Sequence, residues 1–271
     1  MKTAFVLGGG GRWGAVEVGM LSALAEAGIT PDLILGTSIG ALNGSVIADT
    51  PGLEGVRRLT DLWESIAGAD LFRGGFGRIR NITMMRPAIH DTSEMRALVS
   101  GVHGDRRFED LTVPFQCVAA SIERAAEHWF TEGPLVDALL ASAAIPALFP
   151  PVRIGDEHFY DGGLVDSVPL SRALQLGAEV VYVLQVGRIE APLRPPQRLY
   201  EAALISFEIA RRHRFTTLLD NLPDGVEVHV LPSGNPVAFD DRRQLKWRDT
   251  SDTAAMIEGA YEASTEYLKG Q

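Results

Sequence analysis

The chain has 271 residues, of which 46% are hydrophobic and 22% are charged, a composition that suits one domain with a well-filled core. Its net charge of -10 argues against a nucleic-acid partner, because such binding needs lysine and arginine to neutralise phosphates. No run of 18 apolar residues and no N-terminal signal pattern is visible, so we expect a cytoplasmic protein without a membrane span.

The start of the chain alternates apolar strands with helices. The run Thr3–Leu7 predicts a buried strand, and apolar residues at three- and four-residue spacing from Val16 predict a helix ending near Ala27. A second strand is expected at 33–35, followed by a helix of small residues to about Ala48. Each strand ends at a glycine-rich turn, as strands of a parallel sheet do when they leave the core.

The rest of the chain continues with strands and helices. Strands are expected at 114–121, 128–131, 179–186 and 226–231, a hairpin at 152–160, and helices at 134–142, 171–176, 200–219 and 252–269. This alternation predicts an α/β fold with a mostly parallel central sheet and helices on both faces. No linker or repeat divides the chain, so we expect one domain over 1–271, with its ligand site beyond the carboxyl ends of the strands.

The sequence Gly36-x-Ser38-x-Gly40 lies between a predicted strand and a predicted helix. A tight turn in that position lifts a serine hydroxyl clear of the sheet, where it acts as a nucleophile. The flanking glycines are expected for a steric reason, because a side chain at either position would collide with the neighbouring helix or strand. Ser38 is therefore the candidate nucleophile.

The run of four glycines from Gly8 to Gly11 opens the preceding helix, where backbone N–H groups and the helix dipole favour an anion. One use is an oxyanion hole beside Ser38. The pattern Gly9-x-Gly11-x-x-Gly14 also fits a dinucleotide fingerprint, although the nearest acidic residue, Asp32, precedes the second strand. A close-packed turn, or a noncatalytic nucleotide- or lipid-binding module, remains as a further alternative.

A serine nucleophile needs a base, and two kinds of base are available. Of the six histidines, His229 follows a late strand, as the base of an α/β-hydrolase esterase would. Asp161-Gly162-Gly163 follows the predicted hairpin and, taken alone, indicates only a turn. The residues alone therefore do not decide between a Ser38/His229 pair and a Ser38/Asp161 pair of nucleophile and base.

Four blocks, in their order along the chain, resemble the signature of the patatin-like phospholipases. They are 8–14, 36–40, 141–151 and Asp161-Gly162-Gly163. The resemblance covers about 1–186 and implies a three-layer patatin-like fold that 187–271 completes. It also implies a lipolytic serine acyl hydrolase that cleaves lipid or other acyl esters, with no cofactor and no metal ion.

The same resemblance implies a role for each motif residue. Ser38 would be the nucleophile and Asp161 the general base, acting directly without a histidine. The oxyanion hole would be formed by the backbone at Gly9, Gly10, Gly11, Arg12 and Ile39, with the motif glycines Gly14, Gly36, Gly40, Gly162 and Gly163. The family usually has Lys or Arg directly before the last glycine of the first block, whereas this chain has Trp13 there and Arg12 one residue earlier.

The segment 68–87 combines glycines with apolar and arginine residues, which predicts a lid or interfacial segment in transient contact with a membrane surface. Candidates for an acyl pocket are Leu71, Phe72, Phe76, Met84, Met85, Leu148 and Phe149. A second basic stretch, containing Arg211, Arg212 and Arg214, is interpreted as a solvated face or a set of salt-bridge donors, with phosphate head groups as the alternative partner.

Overall fold

A computed structural model describes residues 1–68, 92–186, 189, 192–197, 199–234 and 252–271. The strands are β1 (Thr3–Leu7), β2 (Leu33–Thr37), β3 (Phe115–Ser121), β4 (Ala126–Phe130), β5 (Val152–Ile154), β6 (Glu157–Asp161), β7 (Val180–Leu184) and β8 (Glu227–Val230). The helices are α1 (Ala15–Glu26), α2 (Ile39–Asp49), α3 (Leu53–Gly68), α4 (Ser93–His103), α5 (Leu135–Ser142), α6 (Leu170–Gln175), α7 (Leu199–Leu219) and α8 (Thr253–Lys269).

The strands form one sheet with the order β5-β6-β3-β2-β1-β7-β8, and β4 also pairs with β3. The central strands β3, β2, β1, β7 and β8 run parallel, whereas β4, β5 and β6 pair in antiparallel fashion. The predicted α/β fold with a mostly parallel sheet is confirmed.

Helices cover both faces of the sheet, and β1 shows how the sequence produces this. Phe5 and Leu7 belong to one hydrophobic cluster, and Ala4 and Val6 belong to another. Successive side chains of a strand point to opposite faces, so an uninterrupted apolar run supplies two cores. The first cluster includes residues of α1, α2, α3 and α8, and the second includes residues of α6 and α7. The result is three layers.

Helices α3 and α4, between the second and third strands, were not predicted from the sequence. Val56, Leu59 and Trp63 of α3 are buried in the first core. Their three- and four-residue spacing is the pattern of an amphipathic helix, so the signal was present in the sequence.

One edge of β3 brings two distant parts of the chain together. β4 pairs with β3 from Cys117 to Ser121, so β2 and β6 must share the opposite edge. Along that edge Thr37 of β2 pairs with Val118, and Asp161 of β6 pairs with the next residue, Ala119. The carboxyl ends of β2 and β6 therefore meet.

The expected lid lies outside the described residues, apart from Gly68 at the end of α3. The acyl-pocket candidates of that segment, from Leu71 to Met85, lie outside them as well. Within the described ranges, none of the helices has the length and apolar character needed to cross a membrane.

Candidate active site

Ser38 sits on a strained turn between β2 and α2. Its backbone has φ 55° and ψ -122°, a strained conformation that side-chain-bearing residues rarely adopt. The steric expectation for the flanking glycines is confirmed. A Cβ on Gly36 would lie 2.5 Å from the Ala41 Cα in α2, and one on Gly40 would lie 2.4 Å from the Leu7 carbonyl oxygen in β1.

The structure joins Ser38 to Asp161. The Ser38 Oγ donates a hydrogen bond of 2.6 Å to Asp161 Oδ2, and both residues are buried, with exposures of 5% and 6%. The contact follows from the sheet, because Ser38 directly follows Thr37 of β2 and Asp161 ends β6 on the same edge of β3. The pair has the geometry of a nucleophile and its base.

Asp161 is held through both its carboxylate and its backbone. Its Oδ1 accepts a hydrogen bond of 2.7 Å from the Gly163 amide, and its own amide donates to the Ala144 carbonyl at 2.9 Å. Burial raises the pKa of Asp161 to about 6, and the hydrogen bonds from Ser38 and Gly163 offset part of that rise. Gly162 packs too closely for a side chain, since an added Cβ would lie 2.2 Å from the Val118 carbonyl oxygen.

Two further residues hold the turn that carries Ser38. The Ser38 amide donates to Ser142 Oγ at 3.0 Å, and Thr37 Oγ1 donates to the Asp166 carbonyl at 2.8 Å. Neither contact was predicted from the sequence. Ser142 stands in the block 141–151, so the family motif indicated its neighbourhood, whereas no local pattern indicated Asp166.

The glycine-rich loop lies against Ser38. A Cβ added to Gly9 would be 3.4 Å from the Ser38 Cβ, and one added to Gly14 would be 2.2 Å from Ile39 Cγ1. The Gly9 amide already donates to the Ser167 carbonyl at 2.9 Å. Among the described residues, the Gly10 and Gly11 amides donate to no other backbone group, and Ile39 is the first residue of α2, where intrahelical acceptors are missing.

The Arg12 side chain pairs with a residue outside the loop. Its buried guanidinium forms an ion pair with Asp252, directly before α8, and lies 4.7 Å from the centre of the Trp13 ring. Trp13 itself is 2% exposed and belongs to the core.

The alternative base His229 is far from Ser38. It lies on β8, three strands from β2, which corresponds to about 14 Å at the usual strand spacing. Its ring interacts with Tyr267 through Nδ1 and with Glu227 through Nε2, and it stacks on Tyr182. In this structure His229 is a packed residue at the edge of the sheet.

The nucleotide-binding alternative also lacks its acidic residue. Asp32 Oδ2 accepts a hydrogen bond from the Thr3 amide at the start of β1, so it lies at the opposite end of the strands from the glycine loop. A ribose-binding carboxylate would stand at the carboxyl end of the second strand. Over the described ranges, no cluster of histidine, cysteine or acidic residues is arranged to hold a metal ion.

The basic stretch on α7 is buried in part and points toward the site. The Arg211 side chain is 5% exposed and pairs with Glu208, while Arg214 contacts Asp166 and Glu127. Arg211 and Arg214 line a cavity of about 200 Å³, which also borders Gly163. The salt-bridge interpretation of these arginines is confirmed, and a solvated face is wrong for Arg211.

The chain is similar to known proteins of one family. The model of the family described as "Patatin-like phospholipase" matches residues 5–174. Patatin-like phospholipase domain-containing protein 7 of Rattus norvegicus is 33% identical over 186 residues, which are 68% of this chain and 13% of that protein. Lysophospholipase nte1 of Aspergillus terreus is 31% identical over 193 residues, which are 70% of this chain and 12% of that protein.

The fold is shared with a solved structure. VipD from Legionella pneumophila superposes with a TM-score of 0.53 at 15% sequence identity, covering 99% of this chain and 67% of that one. At this identity the likeness shows a common fold.

Proposed function

The chain belongs to the patatin-like phospholipase family, and from that premise we propose that it is a serine acyl hydrolase that cleaves acyl esters of lipids. The observation that carries the proposal is the 2.6 Å hydrogen bond from Ser38 Oγ to Asp161 Oδ2 on a strained turn. The chain spans 13% of the length of the rat relative, so the substrates of that larger protein are not transferred as a whole.

In the acylation step Ser38 Oγ attacks the ester carbonyl carbon while its proton passes to Asp161 Oδ2. The carbonyl electron pair moves to oxygen and forms the oxyanion. When this tetrahedral adduct collapses, the C–O bond to the alcohol breaks, and the alcohol takes the proton from Asp161. Water then attacks the acyl-serine, Asp161 again accepts the proton, and the fatty acid leaves as Ser38 Oγ regains it.

A buried aspartate is suited to this task. In water its carboxylate would be a weak base for a hydroxyl, because its pKa is about 3.9. Burial raises the pKa of Asp161 to about 6, which strengthens the base, while the Gly163 amide holds Oδ1 and leaves Oδ2 facing Ser38. The proton is transferred along a hydrogen bond that exists before the substrate binds.

We assign the oxyanion hole to the amides of Gly10, Gly11 and Ile39. Gly10 and Gly11 donate to no other backbone group among the described residues, and Ile39 lies at the positive end of α2. Arg12 follows directly in the loop and its amide completes the candidate set. In the present conformation the Gly9 amide is engaged by Ser167, so Gly9 contributes by its close approach to Ser38.

The proposed substrates are phospholipids and lysophospholipids. Two relatives carry the names phospholipase and lysophospholipase, and the site stands beside a cavity lined by two arginines. To take such a substrate from a lipid surface, the protein would make transient contact with a membrane. No nucleic-acid partner and no cofactor are proposed.

The test combines labelling and turnover. A fluorophosphonate probe should label the wild-type protein at Ser38, and the wild type should hydrolyse p-nitrophenyl esters and lysophosphatidylcholine. Ser38→Ala and Asp161→Asn should each lose at least about a thousandfold in kcat, as expected for members of one catalytic unit. His229→Ala should retain wild-type turnover.

Three results would contradict the proposal. One is a folded wild type that the probe does not label and that hydrolyses none of these esters. Another is full turnover in Asp161→Asn. The third is a loss of turnover in His229→Ala that equals the loss in Ser38→Ala.

A further inference from the structure

Arg211 of α7 touches the backbone of the glycine-rich loop. Its Nη1 donates to the Gly9 carbonyl at 3.3 Å and to Ser167 Oγ at 3.1 Å, and its Nη2 donates to Glu208 Oε2 at 3.0 Å. The side chain is 5% exposed. One buried guanidinium thus links α7, the loop before α1 and the segment after Asp161.

The contact to Gly9 acts on the next amide. A peptide unit is planar and trans, so the Gly9 carbonyl and the Gly10 N–H belong to one rigid plane and point in opposite directions. A donor that fixes the carbonyl on one side fixes the N–H on the other. The following unit is held in the same way, because the Gly10 carbonyl accepts the Trp13 amide at 3.3 Å and the Gly11 N–H belongs to that plane.

The loop needs such an anchor because it consists of glycines. Residues without a Cβ rotate freely about φ and ψ, and rotation of the Gly9–Gly10 plane would turn the N–H away from a bound oxyanion. Gly9 is instead held at both ends, by the Ser167 carbonyl on its amide and by Arg211 on its carbonyl. A charged donor also makes a stronger hydrogen bond and polarises the peptide unit, which improves the Gly10 donor.

The cation at the Gly9 carbonyl comes from α7 and not from the glycine-rich motif. Arg12 pairs with Asp252, and Trp13 is packed in the core, so the first motif sends neither side chain to the Gly9 carbonyl. Arg211 lies beyond residues 5–174, which the family model matches. We propose that Arg211 is a positioning residue of the oxyanion hole, whose guanidinium holds the Gly9 carbonyl so that the Gly10 N–H faces the developing negative charge.

This inference rests on the proposed hydrolase activity, and its test uses the full chain. The variants are Arg211→Gln, Arg211→Lys and the control Arg212→Gln, which removes the same charge from the neighbouring position. Arg212 Nε contacts the same Glu208, at 3.4 Å, and no contact joins it to Gly9 in the described part of the chain. The measurements are kcat and KM for a p-nitrophenyl ester and Ki for a trifluoromethyl ketone, which forms a tetrahedral oxyanion on Ser38.

Loss of a direct oxyanion donor costs about 10²–10³ in kcat, and a residue that only orients a donor should cost less. We expect Arg211→Gln to lower kcat about 10- to 100-fold and to raise Ki for the ketone by the same factor, with KM within about twofold. Arg211→Lys keeps the charge beside Glu208 but not the forked donor, and should lose about 3- to 10-fold. Arg212→Gln should stay within about twofold of the wild type.

Each departure from this pattern overturns the inference. The inference is wrong if Arg211→Gln keeps the wild-type kcat, or if its KM changes and its Ki does not. It is also wrong if Arg211→Gln and Arg212→Gln lose equal activity. If Arg211→Gln does not fold, wild-type kcat in folded Arg211→Lys would be decisive against it. A wild type that is inactive and unlabelled refutes the proposed function as well, whereas an active wild type with an unaffected Arg211→Gln refutes only the role of Arg211.

Discussion

The rate of ester hydrolysis should follow the ionisation of Asp161. The carboxylate must be charged to accept the Ser38 proton, and burial raises its pKa from an ordinary 3.8 to about 6. Activity should therefore rise with pH through about 6. A solvent-exposed aspartate would already be fully active at pH 5.

The size of the effect follows from the shift. With a pKa of about 6, the ionised fraction is about one tenth at pH 5 and about nine tenths at pH 7, so kcat/KM should rise about tenfold between them. The rise in the pKa of Asp161 means that ionising this carboxylate lowers the free energy of unfolding by about 3 kcal/mol. Because the pKa is higher in the folded than in the unfolded protein, this loss of stability appears as the pH rises. It is absent at pH below about 4, grows as the pH rises to about 6, and is complete above that.

The assay is kcat/KM for a p-nitrophenyl ester from pH 4.5 to 8 at constant ionic strength, read where the phenol and its anion absorb equally. Two variants serve as controls. Burial also raises the pKa of Asp166 to about 6, so Asp166→Asn separates the two carboxyl groups and should leave the midpoint unchanged. His229→Gln should leave it unchanged as well.

Three results would refute this reasoning. A midpoint near 4 would mean that burial does not control the base. A midpoint that disappears in Asp166→Asn would assign the titration to the other carboxyl group. A midpoint that disappears in His229→Gln would restore a histidine base.

Three further predictions concern the free energy of unfolding, measured by denaturant titration. Ser38→Gly and Ser38→Ala both lose the hydroxyl. The glycine variant should be more stable than the alanine variant by about 1–2 kcal/mol, because only glycine adopts φ 55° without strain. Equal stabilities would argue against strain at this position. Gly40→Ala should destabilise the protein by about 3 kcal/mol or more, since its Cβ would lie 2.4 Å from a backbone oxygen. Gly101→Ala in α4 has open space around the added Cβ and should stabilise the protein by about 0.5–1 kcal/mol. Similar effects at both sites would contradict this reasoning. Ser142→Ala should lower the free energy of unfolding by about 1–3 kcal/mol, because the buried Ser38 amide loses its acceptor. The control Ser22→Ala should change it by less than about 0.5 kcal/mol. No effect in Ser142→Ala would show that the amide finds another partner.

Residue patterns were sufficient to predict the elements that depend on neighbours along the chain. Apolar runs such as Thr3–Leu7 predicted buried strands, and the glycines around Ser38 predicted a tight turn, because sterics and periodicity act within a few residues. The spacing of Val56, Leu59 and Trp63 indicates an amphipathic helix in the same way, although α3 was not among the predicted helices.

Contacts between groups that are far apart in the sequence depend on the whole fold. Ser38 and Asp161 are 123 positions apart, and they touch because β2 and β6 share one edge of β3 in a particular register. Arg211 is 202 positions from Gly9, and in the sequence it was one of three similar arginines. Strand pairing and helix packing fix such contacts through the whole core, so a local pattern predicts which residues have the chemistry but not which partners they reach.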